Sequence, residues 1–171
     1  MVSFLSINPK PSNSSIASSR FTLYFSIGAH EAYACPEGIE EYSVIFECKE
    51  DIRHTLNAGN LLLHEDTLIL ENTNELPLKT EYFEIDALIL LSLKSRKASL
   101  KHRKTGRTIT LDFDGFDSFL IWTKPGAGYV CLEPWAGIPD FDDSDYDITH
   151  KPEIIEAEAG ETVIKTHTIE I

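Results

Sequence analysis

Tyr129-Val130-Cys131-Leu132-Glu133-Pro134-Trp135-Ala136-Gly137-Ile138-Pro139-Asp140 is the stretch whose reading decides the fold. Its first half is apolar and β-favouring, and it runs into a Pro-Trp corner. One carboxylate, Glu133, sits inside the apolar run. A glutamate there is costly unless it is paired, hydrogen-bonded or turned toward a cleft. Two readings follow: a strand-end carboxylate held by backbone amides, or a catalytic or ligand-binding one.

Working outward, the same strand grammar recurs. Ser118 to Thr123 precedes this stretch across Lys124-Pro125-Gly126-Ala127-Gly128, and Ala98 to His102 and Thr108 to Phe113 flank Lys104-Thr105-Gly106-Arg107, so each pair reads as a hairpin. Phe21, Leu23, Phe25 and Ile27 alternate at period two, as do Tyr42, Val44, Phe46 and Cys48. Arg53 to Glu71 reads as two or three short strands, clearest at Thr67 to Leu70, with Asn72-Thr73-Asn74 as a turn. Lys79 to Ile85 reads as a short helical turn and Ala87 to Leu93 as a strand buried on both faces. Glu161 to Ile171 alternates again. With no long amphipathic helix and no repeat, the chain is expected to be all-β, a sandwich or barrel of mostly antiparallel strands.

The Ser-, Pro- and Asn-rich stretch from Asn8 to Ser19 makes residues 1–20 a flexible lead, with one folded domain over 21–171. At 171 residues and 42% hydrophobic, the chain is long and apolar enough for one real core. Its formal charge of −13 disfavours nucleic acid and anionic membrane surfaces as partners. No apolar run is long enough to span a membrane, and residues 1–15 lack the pattern of a signal peptide. Cys35, Cys48 and Cys131 are an odd set in apolar segments, which argues for buried free thiols, no disulfide framework and a cytoplasmic setting.

Few residues carry recognisable chemistry. Asp140, Asp142, Asp143, Asp145 and Asp147 crowd one loop, but an EF-hand needs Gly where Asp145 stands and Glu where Lys151 stands, so a solvated acidic loop is expected. No nucleophile elbow, phosphate loop or dinucleotide fingerprint is present, and nothing marks Cys131 as a nucleophile. His54, His64, His102, His150 and His167 read as surface or strand histidines. His30 differs, because it follows Gly28-Ala29 at a strand end, where a side chain can point from a rigid sheet into a cleft.

Three motifs in order carry a resemblance: Phe25-Ser26-Ile27-Gly28-Ala29-His30, then Phe83-Glu84-Ile85-Asp86-Ala87-Leu88, then Cys131-Leu132-Glu133-Pro134-Trp135-Ala136-Gly137. Together with Phe119 to Pro125 they resemble the aldose 1-epimerase (galactose mutarotase) family, most closely its compact bacterial branch. The resemblance runs from about Phe21 to Ile171 and covers only the C-terminal half to three-fifths of a full family member, as if truncated. It implies a partial β-supersandwich and cofactor-free, metal-free interconversion of the anomers of a free aldose. It assigns His30 as the general acid at the ring oxygen, Glu133 as the base at the anomeric hydroxyl and Asp86 as a holder of sugar hydroxyls. Tyr33 and Trp135 have two readings: substrate-binding aromatics that stack on the sugar's apolar face, or aromatics of the core. The sequence departs from the family at Glu31, where a proline is usual, and a glutamate there would raise the pKa of His30 if it pointed inward. The alternatives are a non-catalytic carbohydrate-binding module, and a remnant that self-associates or completes its sheet through exposed edges.

Overall fold

The computed structural model describes residues 21–171 and the backbone of residues 2–7. Thirteen strands account for nearly all the regular structure among them: β1 (Val2–Ile7), β2 (Leu23–Phe25), β3 (Ile27–Gly28), β4 (Glu31–Ala34), β5 (Tyr42–Ala58), β6 (Leu61–Pro77), β7 (Leu88–Leu90), β8 (Lys97–His102), β9 (Thr108–Asp112), β10 (Ser118–Trp122), β11 (Tyr129–Ala136), β12 (Ile155–Ala157) and β13 (Val163–Glu170). A six-stranded sheet runs β1-β13-β9-β8-β5-β6 and a second runs β3-β11-β10-β7 with β4 also on β11, while β12 pairs with β2. Every strand pairing is antiparallel. No helix among the described residues is long and apolar enough to cross a membrane.

The core fills the space between the two large sheets, and strand alternation decides which side chains enter it. From β5 come Val44 and Phe46, from β8 Ala98 and Leu100, and from β10 and β11 Phe119, Ile121, Val130 and Leu132, all buried. Phe119 stacks on Phe113 with ring centroids 4.6 Å apart and meets the edge of Phe46 at 6.4 Å. The odd-numbered positions of β11 point the other way, and that outer face becomes the floor of the cleft described below.

The main departure from the sequence reading is the β5–β6 arm. Arg53 to Glu71 is not a set of short strands but the far end of two 17-residue strands. They turn at Gly59-Asn60, where Gly59 takes φ 63°. Asn72-Thr73-Asn74, expected to be a turn, lies inside β6. Asn72 adopts φ 49°, and its N–H donates to Asp51 Oδ1 at 2.9 Å. Asparagine tolerates the left-handed region, so the same residue that signals a turn also serves an irregularity within a continuous strand. The register between β5 and β6 shifts at Glu50 and again near Ile52. The arm leaves the first sheet there and crosses to the second, where the Ile89 N–H of β7 donates to His54 Nδ1 at 3.1 Å.

Three smaller differences follow. Val2–Ile7, within the expected lead, forms a strand in register with β13, and residues 8–20 lie outside the described residues. Ala87 to Leu93 contracts to Leu88–Leu90, buried at every position. Cys48, expected to be buried, is exposed, whereas Cys35 and Cys131 are buried free thiols.

Candidate active site

On β11, Val130, Leu132 and Ala136 face the core, so Tyr129, Cys131, Glu133 and Trp135 face outward. On β10 and β7 the same rule turns Leu120, Trp122 and Ile89 to that side. The β5–β6 tip, with Asn57, Gly59 and Asn60, overhangs this face and makes a cleft of about 390 Å³. The tip is fastened to the segment after β11 by two backbone bonds: Leu62 N–H to Asp140 O at 2.8 Å and Asp142 N–H to Leu62 O at 2.9 Å. His30, Asp86, Glu133 and Trp135 all line this one cleft, so four of the five candidate residues converge.

His30 reaches the cleft because the edge strand breaks. β3 pairs with β11 at Gly28↔Trp135, β4 resumes at Glu31↔Leu132, and Ala29 N–H bonds Pro134 O between them at 3.0 Å. The short interruption projects His30 over Glu133. Gly28 is required by Trp135: a Cβ on residue 28 would lie 2.6 Å from the indole Cδ1. Gly28→Ala is therefore expected to push Trp135 out of place. Its indole fluorescence should shift, and sugar affinity should fall if the cleft takes a sugar.

The fifth candidate, Tyr33, is corrected. It sits on β4 at even spacing from Glu31, on the face opposite His30, and belongs to the core. Burial pushes its hydroxyl up to about 12, with nearby Glu31 adding to the effect. Glu31 likewise turns away from His30 and meets buried His167 at 2.9 Å. Glu31 therefore does not point toward His30, the condition on which that expectation stood.

Glu133 is 2% exposed. His30 Nε2 lies 3.2 Å from its Oε1, without hydrogen-bond alignment, so Oε1 has no hydrogen-bond partner among the described residues. Burial pushes the carboxyl up to about 6; His30 and the Trp135 indole pull it down, while the charges of Asp86 and Glu31 push it further up. The bland reading of a carboxylate satisfied by backbone amides therefore fails at this oxygen. Asp86 is exposed, and its Oδ1 accepts the Ala87 N–H at 2.8 Å, which fixes the carboxylate at the rim.

Trp122, Asn57 and Asn60 were missed as site residues. Trp122 meets His30 edge-on, with centroids 6.0 Å apart, and its place on the cleft face follows from alternation with core Ile121. The asparagines had no readable signal, because the arm that carries them was not recognised. The acidic loop is largely exposed, as expected, and binds itself: Asp147 accepts from Thr149 N–H at 2.9 Å, and Asp145 pairs with His150 at 2.7 Å.

A partial β-supersandwich with a cleft on the outer face of its second sheet is the galactose mutarotase-like fold. A galactose mutarotase related enzyme from Lactobacillus acidophilus superposes with a TM-score of 0.82 at 24% identity, over 98% of this chain and 56% of its own. A galactose mutarotase-like protein from Lactobacillus casei gives a TM-score of 0.76 at 22% identity, over 88% and 54%. In sequence, the chain is 33% identical over 158 residues to the chromosomal protein LacX of Lactococcus lactis, and equally to the plasmid form. The chain spans 53% of those curated relatives. No protein-family profile matches it.

Proposed function

We propose that the chain is an aldose 1-epimerase-like isomerase that interconverts the α and β anomers of a free aldohexose. One observation carries the reading: a buried carboxylate with an unpartnered oxygen, 3.2 Å from an accessible histidine nitrogen, at the floor of an open cleft. In the forward step Glu133 accepts the proton of the anomeric hydroxyl and protonated His30 gives a proton to the ring oxygen. The C1–O5 bond breaks, C1 becomes a carbonyl, and the C1–C2 bond rotates. Reclosure on the other face returns both protons, so no co-reactant is consumed. A base titrating near neutrality suits this work, and each positioned group contributes about 10²–10⁴-fold. Asp86, Asn57 and Asn60 line the rim as hydroxyl partners, and Trp135 and Trp122 offer apolar walls. The sugar has to part His30 from Glu133. His30, with a side chain 59% exposed, has room to swing.

Polarimetry of freshly dissolved α-D-glucose or α-D-galactose tests the reading. Relaxation is expected to exceed the buffer rate, with kcat/KM falling as pH drops through about 6, where Glu133 takes up a proton and ceases to be a base. His30→Asn should lower the rate by about 10²-fold or more. Relaxation at the buffer rate for wild type would remove the enzyme reading, and calorimetric sugar binding without acceleration would replace it with a carbohydrate-binding one.

A further inference from the structure

Beside the two cleft residues His30 and Glu133 lies a buried group that mutarotation does not use. Cys131, buried on the same face of β11 two residues before Glu133, places its sulfur within a cluster in which one ligand atom each from His30, Cys131 and Glu133 lie within 4.8 Å of one another. We propose that His30, Cys131 and Glu133 form a three-donor site for a thiophilic divalent cation of the Zn²⁺ class, with its fourth position open to the cleft.

The donor set is one nitrogen, one sulfur and one carboxylate, which suits Zn²⁺. Bond lengths of about 2.0–2.3 Å put tetrahedral donors about 3.3–3.7 Å apart. The His30–Glu133 separation of 3.2 Å is already close to that spacing, and the thiol has to close by about 1.5 Å at most. His30 is the exposed donor, and Cys131 and Glu133 are buried on β11. A second observation points to a ligand here: Glu133 Oε1 is buried, faces the cluster and has no hydrogen-bond partner. The negative charge of Asp86 and Glu31, which disfavours the ionised Glu133, favours a cation at the same place. Binding breaks the Cys131 S–H bond, forms an S–metal bond and releases the proton to solvent. The other cluster of this kind among the described residues, His64 with Asp142 and Asp143, is exposed throughout and offers no buried unpartnered group.

A cation there ties up both groups assigned to acid–base work, so it should act as an inhibitor; that consequence alone rests on the mutarotase reading. The test uses the intact chain and Co²⁺ as a spectroscopic stand-in, so it needs no turnover. Wild type is expected to bind one equivalent with a thiolate-to-cobalt charge-transfer band, and Zn²⁺ should displace it. Cys131→Ala should lose the band, and His30→Asn should weaken binding by about tenfold or more. Absence of the band in wild type, an undiminished band in Cys131→Ala, or loss of the band in Cys48→Ala or His64→Ala would overturn the site. If Cys131→Ala fails to fold by circular dichroism, His30→Asn decides, because that side chain is exposed. Where mutarotation is observed, Zn²⁺ should suppress it in wild type but not in Cys131→Ala. Sugar turnover that Zn²⁺ leaves untouched in wild type would overturn the inhibition while leaving the enzyme reading in place.

Discussion

Replacing Glu133 with Gln is expected to abolish acceleration of mutarotation, by about 10²–10⁴-fold, while making the protein more stable at pH 7.5. The two effects have one cause. Burial raises the Glu133 carboxyl to about 6, so the folded protein prefers the protonated form and is penalised when the group ionises. The sign follows from linkage: a folded pKa above the unfolded value contributes stability that is full at low pH and is lost as pH rises through about 6. Near neutrality the penalty is about 2 kcal/mol, which Gln removes because it is neutral at every pH and nearly the same shape. For a chain of this size the melting temperature should rise by about 4–8 °C at pH 7.5 and by little at pH 4. Thermal unfolding at the two pH values checks the stability claim, and polarimetry checks the rate. A Gln variant less stable than wild type at pH 7.5 would mean that Glu133 is satisfied in the fold, and the case for a catalytic carboxylate would lose its basis.

The opposite outcome is expected at Glu50. It is also 2% exposed, but it is fully engaged. Its carboxylate accepts from Ser95 N–H at 2.8 Å, Ser95 Oγ–H at 2.7 Å, Lys94 N–H at 3.1 Å and the Cys48 thiol at 3.3 Å. Burial pushes this carboxyl up, but the bonds from Ser95, Lys94 and Cys48 outweigh it and hold the pKa below the ordinary value. Its stabilisation is therefore present above the unfolded pKa and is lost as pH falls through the folded one. Glu50→Ala strands the buried Ser95 N–H, takes the acceptor from the Lys94 N–H, and should cost about 2–5 kcal/mol by urea unfolding at pH 7. Glu50→Gln should cost less, because it retains an acceptor oxygen. A loss below 1 kcal/mol for Ala would mean that water serves those amides as well as the carboxylate does.

Two glutamates of equal burial thus carry opposite expectations, and the difference lies in their partners rather than their depth. Sequence alone could not separate them. Glu50 stands in a charged run, Lys49-Glu50-Asp51, and reads as surface, yet it falls on the buried side of β5 with Val44, Phe46 and Ile52. The strands that pack by plain alternation were legible to within a residue or two. Thr108 to Phe113 ends one residue later than β9, and Ser118 to Thr123 one residue later than β10. Glu133 reads as a strand end, whereas β11 continues through Pro134 to Ala136. The β5–β6 arm was not legible, because asparagine and glycine give the same local signal for a hairpin turn and for a bulge, and only the neighbouring sheet decides between them. The pairing of His30 with Glu133, 103 residues apart, is beyond local rules. It is what the family resemblance implies, and the break between β3 and β4 gives its structural reason. Cys131 reads from the sequence as a buried thiol, but its nearness to His30 does not, since that depends on the same break.

The β5–β6 arm has a mechanical consequence. It is rooted in one sheet and reaches over the other, so its irregularity at Glu50 acts as a fulcrum and its tip as the end of a lever. Seven residues of strand separate Glu50 from Asn57, roughly 23 Å, so a bend of about 5° at the fulcrum would carry Asn57 about 2 Å across the cleft. The two backbone bonds of Leu62 brace the tip against that swing. The strand that roofs the cleft is thus held at two places, by the Glu50 carboxylate near its root and by the Leu62 bonds near its tip.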